Sequence, residues 1–248
     1  MQEVNRIAKK TPGARFFNRA FGAVRFQCKK LRIRWKSTED VFTAIYRNKE
    51  WNGNESVSGP GSDLAETAAV RRQLPTVFRQ FGIHSMLDIP CGDFNWMKQV
   101  AFEKMDYTGA DIVADLIQQN NTKFGTSNVH FCKLNLIEGG LPKVDLVLCR
   151  DCLVHFSVRD IFSALRNVVD SGSTYLLTTT FTSRRQNVDI VTGLWRPLNL
   201  EVAPFSFPPP LLIICEESTE RDGADIDKSL GLWKVEDLAE GLAKHLNS

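Results

Sequence analysis

The chain has 248 residues, with 31 Lys and Arg against 29 Asp and Glu, a formal charge of +2 at pH 7. Its 43% hydrophobic and 24% charged residues are an ordinary globular composition, enough to bury one α/β core with an appended segment rather than two full domains. No apolar run is long enough to span a bilayer, and the basic start lacks a following apolar stretch, so the expectation is a protein without a membrane span, placed in the cytoplasm. The six cysteines fall mostly within strand-like runs or at their ends. Cys149 and Cys152 form a C-x-x-C, but a strand leads straight into it and no second pair stands at metal spacing. Packing thiols are expected, with no metal.

Residues 1–36 form a basic arm, in which Arg6, Lys9, Lys10, Arg15, Arg19 and further bases face the single acid Glu3. Phe16, Phe17, Phe21, Val24 and Phe26 interleave with the bases. Three readings stand side by side: a solvated helical extension, a contact with an anionic membrane or acidic partner, and a nucleic-acid contact. Residues 37–248 then form the main domain.

A helix is expected from Ser37 or Thr38 through residue 46. Next comes a loop running from Trp51 through Gly53, Ser56, Ser58, Gly59, Pro60 and Gly61 to Ser62. It is either a linker or a lid over a bound ligand. A helix over residues 63–81 follows, with Ser62 or Asp63 as cap, a break near Pro75 and a stop at Gly82.

Residues 86–89 make the first core strand, ending in the turn Pro90-Cys91-Gly92-Asp93, with residues 96–100 read as helical. A strand feeding a loop and then a helix presents backbone N–H groups to a ligand. Gly92 permits a positive φ or a close backbone approach. A second strand over 107–111 ends in Asp111, about twenty residues beyond the glycine turn. A carboxylate in that register reaches the ribose of a nucleotide bound over the first turn.

Further strands are expected at 129–134, 144–151 and 174–180, with helices between them. The helix after the fourth begins at Leu153 and continues to residue 169. The alternation implies an α/β fold with a mostly parallel, doubly wound sheet. Residues 200–205 and 211–216 read as a closing β-hairpin joined by Pro208-Pro209-Pro210, and residues 233–246 as a final amphipathic helix.

Several segments together carry a resemblance: Leu87-Asp88-Ile89-Pro90-Cys91-Gly92-Asp93-Phe94-Asn95-Trp96, then Asp111, Leu148-Cys149-Arg150-Asp151-Cys152-Leu153-Val154-His155, and Trp195-Arg196-Pro197-Leu198-Asn199-Leu200. Over residues 45–235 the chain resembles the class I S-adenosylmethionine-dependent methyltransferases, in a bacterial branch. The resemblance implies a Rossmann-like seven-stranded sheet whose last two strands form an antiparallel hairpin, with S-adenosylmethionine as cofactor.

By that resemblance Asp88, Pro90, Cys91, Gly92 and Asp93 would line the amino-acid end of the cofactor, and Asp111 would hold the ribose. Ile112 would lie beside the adenine, with Asn135 and Leu136 after the third strand and Arg150 near the sulfonium. Asp88-Ile89-Pro90-Cys91-Gly92 departs from the usual Asp-x-Gly-x-Gly turn, and Pro90 removes one N–H.

Asp151 and His155, four apart at a helix start, would share one face, with His155 a general base and Asp151 orienting it or the acceptor; packing beneath the cofactor is the other reading of His155. The place after strand four lacks the Pro-Pro-aromatic motif of adenine amino-methylating enzymes, and Cys152 lacks the proline that precedes a cytosine-attacking cysteine. A hydroxyl of a small molecule or glycan is therefore the expected acceptor, with Trp51, Trp96, Trp195 and Arg196 as its walls. Two other classes remain in view: an NAD-dependent oxidoreductase, which the chain's lack of G-x-G-x-x-G disfavours, and a non-catalytic nucleotide- or nucleic-acid-binding module using the arm.

Overall fold

The computed structural model describes residues 33, 35–51, 53–101 and 105–246; the basic arm lies outside the described residues. The domain begun at Thr38 opens with α1 (Thr38–Arg47) and continues with α2 (Ala68–Phe81), β1 (Ser85–Asp88), β2 (Asp106–Asp111), α3 (Ala114–Phe124), β3 (Val129–Lys133) and β4 (Leu146–Cys149). It closes with α4 (Val158–Asp170), β5 (Tyr175–Phe181), β6 (Leu212–Cys215), β7 (Lys228–Lys234) and α5 (Val235–Leu246). The seven strands lie in the order β3-β2-β1-β4-β5-β7-β6. Neighbours from β3 through β5 pair in parallel, and β7 runs antiparallel between β5 and β6.

Successive strand residues point to opposite faces of the sheet. Leu87 and Val147 face a core completed by Ile161 and Leu165 of α4 and Leu238 of α5. Met86, Leu146 and Leu148 face the other core, closed by Leu74, Val77 and Phe78 of α2 and Ile117 of α3. Helices thus cover both faces, and the strands read as continuous apolar runs because both sides are buried. Strand order reverses between β1 and β4, and that switch point opens the ligand crevice at the strands' carboxyl ends.

Several expected boundaries shift. α2 starts at Ala68 and runs through Pro75 without a break, ending where Gly82 adopts φ 62°. Residues 96–100 form only a 3-10 turn, Met97–Gln99. The expected single helix after β4 is two pieces: a 3-10 turn, Leu153–His155, and α4, which the Ser157 side chain caps by accepting from Asp160 N–H.

The closing hairpin is real, but its first strand is β6 and its second is β7, so residues 200–205 are not part of it. Leu200 and Phe205 are instead buried as loop residues in the α4–α5 core. Gly231 belongs in β7 because a Cβ there would sit 2.2 Å from the ring of the buried Trp233. The Trp233 indole N–H is satisfied by Pro208 O at 2.7 Å. Among the described residues no helix is long and apolar enough to cross a membrane.

Candidate functional site

Asp88 closes β1 and is 3% exposed; Tyr107 Oη of the neighbouring strand donates to its Oδ2 at 2.7 Å. Burial disfavours the Asp88 carboxylate and pushes its pKa up to about 7, with the Tyr107 bond and the nearby Arg150 opposing that rise. The turn that follows folds back on β2. Cys91 N–H donates to Ala110 O, and Gly92, at φ 54°, donates its N–H to Asp111 Oδ2 at 3.2 Å. Val113 N–H donates to the other Asp111 oxygen at 2.9 Å. Asp111 is thereby fixed at the tip of β2. Burial raises its pKa to about 6, against the lowering effect of the Val113, Gly92 and Ile112 N–H groups.

The turn differs from the expectation in one respect. It leads into a 3-10 turn rather than an α-helix, and its amides are already used: Asp93 N–H goes to Ser58 Oγ at 3.2 Å. Free N–H groups at a helix N-terminus are therefore not what this turn offers. The side chain of Asp93 is also engaged, accepting from Ser56 Oγ and Val57 N–H, each at 2.9 Å. A Cβ on Gly92 would lie 2.2 Å from Ser58 Oγ, so the bare glycine lets the 53–62 loop dock on the turn. Asp63, expected as a helix cap, instead accepts from the N–H groups of Asn54, Glu55 and Ser56. The serine- and glycine-rich loop is thus clamped at two carboxylates, which is more than a linker requires.

At the end of β4, Arg150 is 5% exposed and donates from Nη2 to Gly61 O at 2.8 Å and to Glu216 Oε2 at 2.6 Å. Asp151, at φ 52°, directs Oδ2 to Lys228 Nζ at 2.7 Å and lies 3.3 Å from Arg150 Nη1. Lys228 also binds Glu220 Oε2 at 3.0 Å. Burial disfavours the Lys228 cation, yet Asp151 and Glu216 outweigh burial and hold its pKa above the ordinary lysine value. Burial likewise opposes the Asp151 charge, and Lys228 and Arg150 outweigh it, so its pKa is lowered. Asp151 is therefore an anion with one oxygen committed.

His155 stacks on Trp51 with ring centroids 4.4 Å apart. Its Nδ1 lies 2.9 Å from Leu194 O. A carbonyl only accepts, so Nδ1 carries the proton and Nε2 is left with a lone pair. Burial lowers its pKa to about 4, with the Leu194 bond and Asp151 opposing that fall, so the ring is neutral near pH 7. Asp151 and His155 do not share a helix face as expected, because Asp151 adopts a positive φ and His155 ends a 3-10 turn; they still line the same cavity.

That cavity, of about 550 Å³, joins Asp88, Asp111, Asp151 and His155. Pro90, Cys91, Gly92, Asp93 and Arg150 also line it. Ile112, Leu116, Leu134 and Leu136 make an apolar slot beside Asp111, with Asn135 at its rim. Asn135 Oδ1 accepts from Ile137 N–H at 3.0 Å, and its amide nitrogen has no partner among the described residues. Trp51, Trp96 and Trp195 line the cavity as expected; Arg196 does not. Its guanidinium donates to Leu153 O, Phe156 O and Val188 O and so braces the 153–156 turn.

Sequence reading did not find Glu216, Glu220 or Lys228. The only signal was a lysine opening the partly apolar 228–234 run. Cys149 and Cys152 are free and buried, and no group of three or more metal-binding side chains occurs among the described residues.

No family model matches the chain, and no curated protein matches it in sequence. Solved structures do resemble it. Human N-acetylserotonin methyltransferase in complex with S-adenosylmethionine superposes with a TM-score of 0.55 over 92% of this chain and 68% of that one, at 14% identity. The N-methyltransferase NodS from Bradyrhizobium japonicum gives 0.53 over 70% of this chain and 98% of its own, at 12% identity. The Burkholderia thailandensis 1,6-didemethyltoxoflavin-N1-methyltransferase gives 0.53 over 79% and 86%, at 14% identity.

The chain has the class I methyltransferase fold. The strand order and the antiparallel β7 are those of this fold, and Asp88 and Asp111 stand at the tips of its first and second strands. At such identities the methyltransferase fold, rather than any one substrate, is what these proteins share with the chain.

Proposed function

We propose that the chain is an S-adenosylmethionine-dependent methyltransferase acting on a hydroxyl of a small molecule or glycan. One observation carries the reading: a single cavity joins Asp88 and Asp111, at adjacent strand tips, to the neutral imidazole of His155. The residues fit the cofactor. Asp111, oriented by the N–H groups of Gly92 and Val113, would accept from the ribose hydroxyls, and the slot of Ile112 and Leu136 suits an adenine ring, with the Asn135 amide nitrogen, unpartnered among the described residues, at its edge. Asp88 would hold the amino-acid end, walled by the 90–93 turn, and Arg150 would lie near the sulfonium.

Bound S-adenosylmethionine supplies an electrophilic methyl group on a sulfonium sulfur. The protein's part is alignment and proton removal. His155 Nε2, unprotonated because Nδ1–H is given to Leu194, takes the proton from the attacking hydroxyl. Trp51 holds the imidazole plane by stacking, and the ionised Asp151 stabilises the imidazolium that forms. The clamped 53–62 loop excludes water from this end of the cavity. Calorimetric titration with S-adenosylhomocysteine and with NAD tests the reading: binding of the former alone supports it, and binding of NAD alone returns the site to the oxidoreductases.

A further inference from the structure

The acceptor end of the cavity is rich in lone pairs. Asp151 Oδ2 is taken by Lys228, but Asp151 Oδ1 receives no hydrogen bond among the described residues, although the side chain is 26% exposed. Glu220 likewise commits Oε2 to Lys228 and leaves Oε1 without a partner among the described residues. Both carboxylates line the cavity, held close together because one ammonium binds them. His155 Nε2 adds a third acceptor on the same side.

The charge of this end is nearly balanced, since Arg150, Lys228 and Arg221 face Asp151, Glu216, Glu220 and Asp225. An anionic acceptor would meet the open oxygens of Asp151 and Glu220, while each of these cations is already paired with a carboxylate. A simple phenol brings one donor and leaves the remaining acceptors unmet. An ammonium would compete with Lys228, which already answers both carboxylates. A molecule with several neighbouring O–H groups satisfies the whole set, because each hydroxyl donates to a carboxylate or to His155. Trp51, stacked on His155, and Trp195, beneath the Arg221 guanidinium, line the same space.

We infer that the acceptor is a saccharide, with adjacent ring hydroxyls held by Asp151 and Glu220. The inference rests on the methyltransferase reading and narrows its acceptor to one of the two classes named there.

The test is saturation-transfer difference NMR on the full chain, with and without S-adenosylhomocysteine. The probes are the methyl glycosides of glucose, galactose, mannose, fucose and rhamnose, with tyramine and 4-hydroxybenzoate as flat comparators. The expected result is signal from at least one glycoside and none from the comparators. Glu220→Gln, with its unfolding midpoint unchanged, is expected to weaken that signal about tenfold. Where Glu220→Gln unfolds, Trp195→Ala serves in its place. Absence of signal from every glycoside overturns the inference, as does a comparator binding in their stead or an undiminished signal in the variant. S-adenosylhomocysteine binding in the same sample separates the two failures: its loss defeats the methyltransferase reading, and glycoside silence beside intact binding defeats only the saccharide.

Discussion

Tyr107 Oη and Asp88 Oδ2 lie 2.7 Å apart, joining the second strand to the first beneath the cavity. The phenol is fully buried, so its hydroxyl has this carboxylate in place of water. Tyr107→Phe is expected to cost about 1–3 kcal/mol, the penalty of leaving a buried acceptor unmet. The bond lowers the Asp88 pKa from where burial alone would set it, at about 7 with the bond intact. A carboxyl with a raised folded pKa loses stability as pH climbs through that value, and removing the bond deepens the loss. Urea denaturation should therefore find the variant more damaged at pH 8 than at pH 5. Equal damage at both would remove Asp88 ionisation from the explanation.

His155→Gln should lower kcat by about 10²–10⁴-fold, the usual contribution of a positioned base, while leaving S-adenosylhomocysteine affinity near wild type. The His155 pKa is lowered to about 4, so the base is unprotonated throughout the working range. At saturating cofactor and acceptor, kcat should then be flat from pH 6 to 8. A histidine-like acid limb near pH 6.5 would show that the ring is not desolvated as described.

Among the described residues, Lys228 is the one cation binding both Asp151 and Glu220. Lys228→Met leaves those carboxylates, and the buried Glu216, short of a counter-charge, an arrangement that costs about 3–5 kcal/mol. Chemical denaturation of the variant measures this directly. A loss below about 1 kcal/mol would mean the cluster is solvated enough to need no counter-ion.

The parallel half of the sheet was legible because its strands are local apolar runs bounded by turns, and because Asp111 follows Gly92 at the separation one βα unit imposes. What was not legible lies in pairings across the chain. Arg150 and Glu216 are 66 positions apart, and Asp151 and Lys228 are 77 apart, so neither spacing carries a periodic signal. Residues 200–205 look like a strand because Leu200 and Phe205 are apolar; tertiary packing buries them as a loop and gives the sheet position to β7, whose lysine and glycine weaken its strand-like appearance. Arg196 looked like a ligand-facing cation because its carbonyl partners, forty or more positions away in two of the three cases or in a loop, leave no trace in the sequence.

Asp111 is the residue on which the cofactor reading turns. Ionisation lets both its oxygens accept from ribose hydroxyls and strengthens those bonds, and its pKa of about 6 places that charge within reach of titration. Calorimetric binding of S-adenosylhomocysteine to wild type and to Asp111→Asn, from pH 5 to 8, tests this most directly. The predicted result is tight binding by wild type at pH 7.5 that weakens below pH 6, and a loss of about 10–100-fold in the variant, as expected for charged hydrogen bonds. Equal affinity in the two proteins, with no dependence on pH, would contradict it.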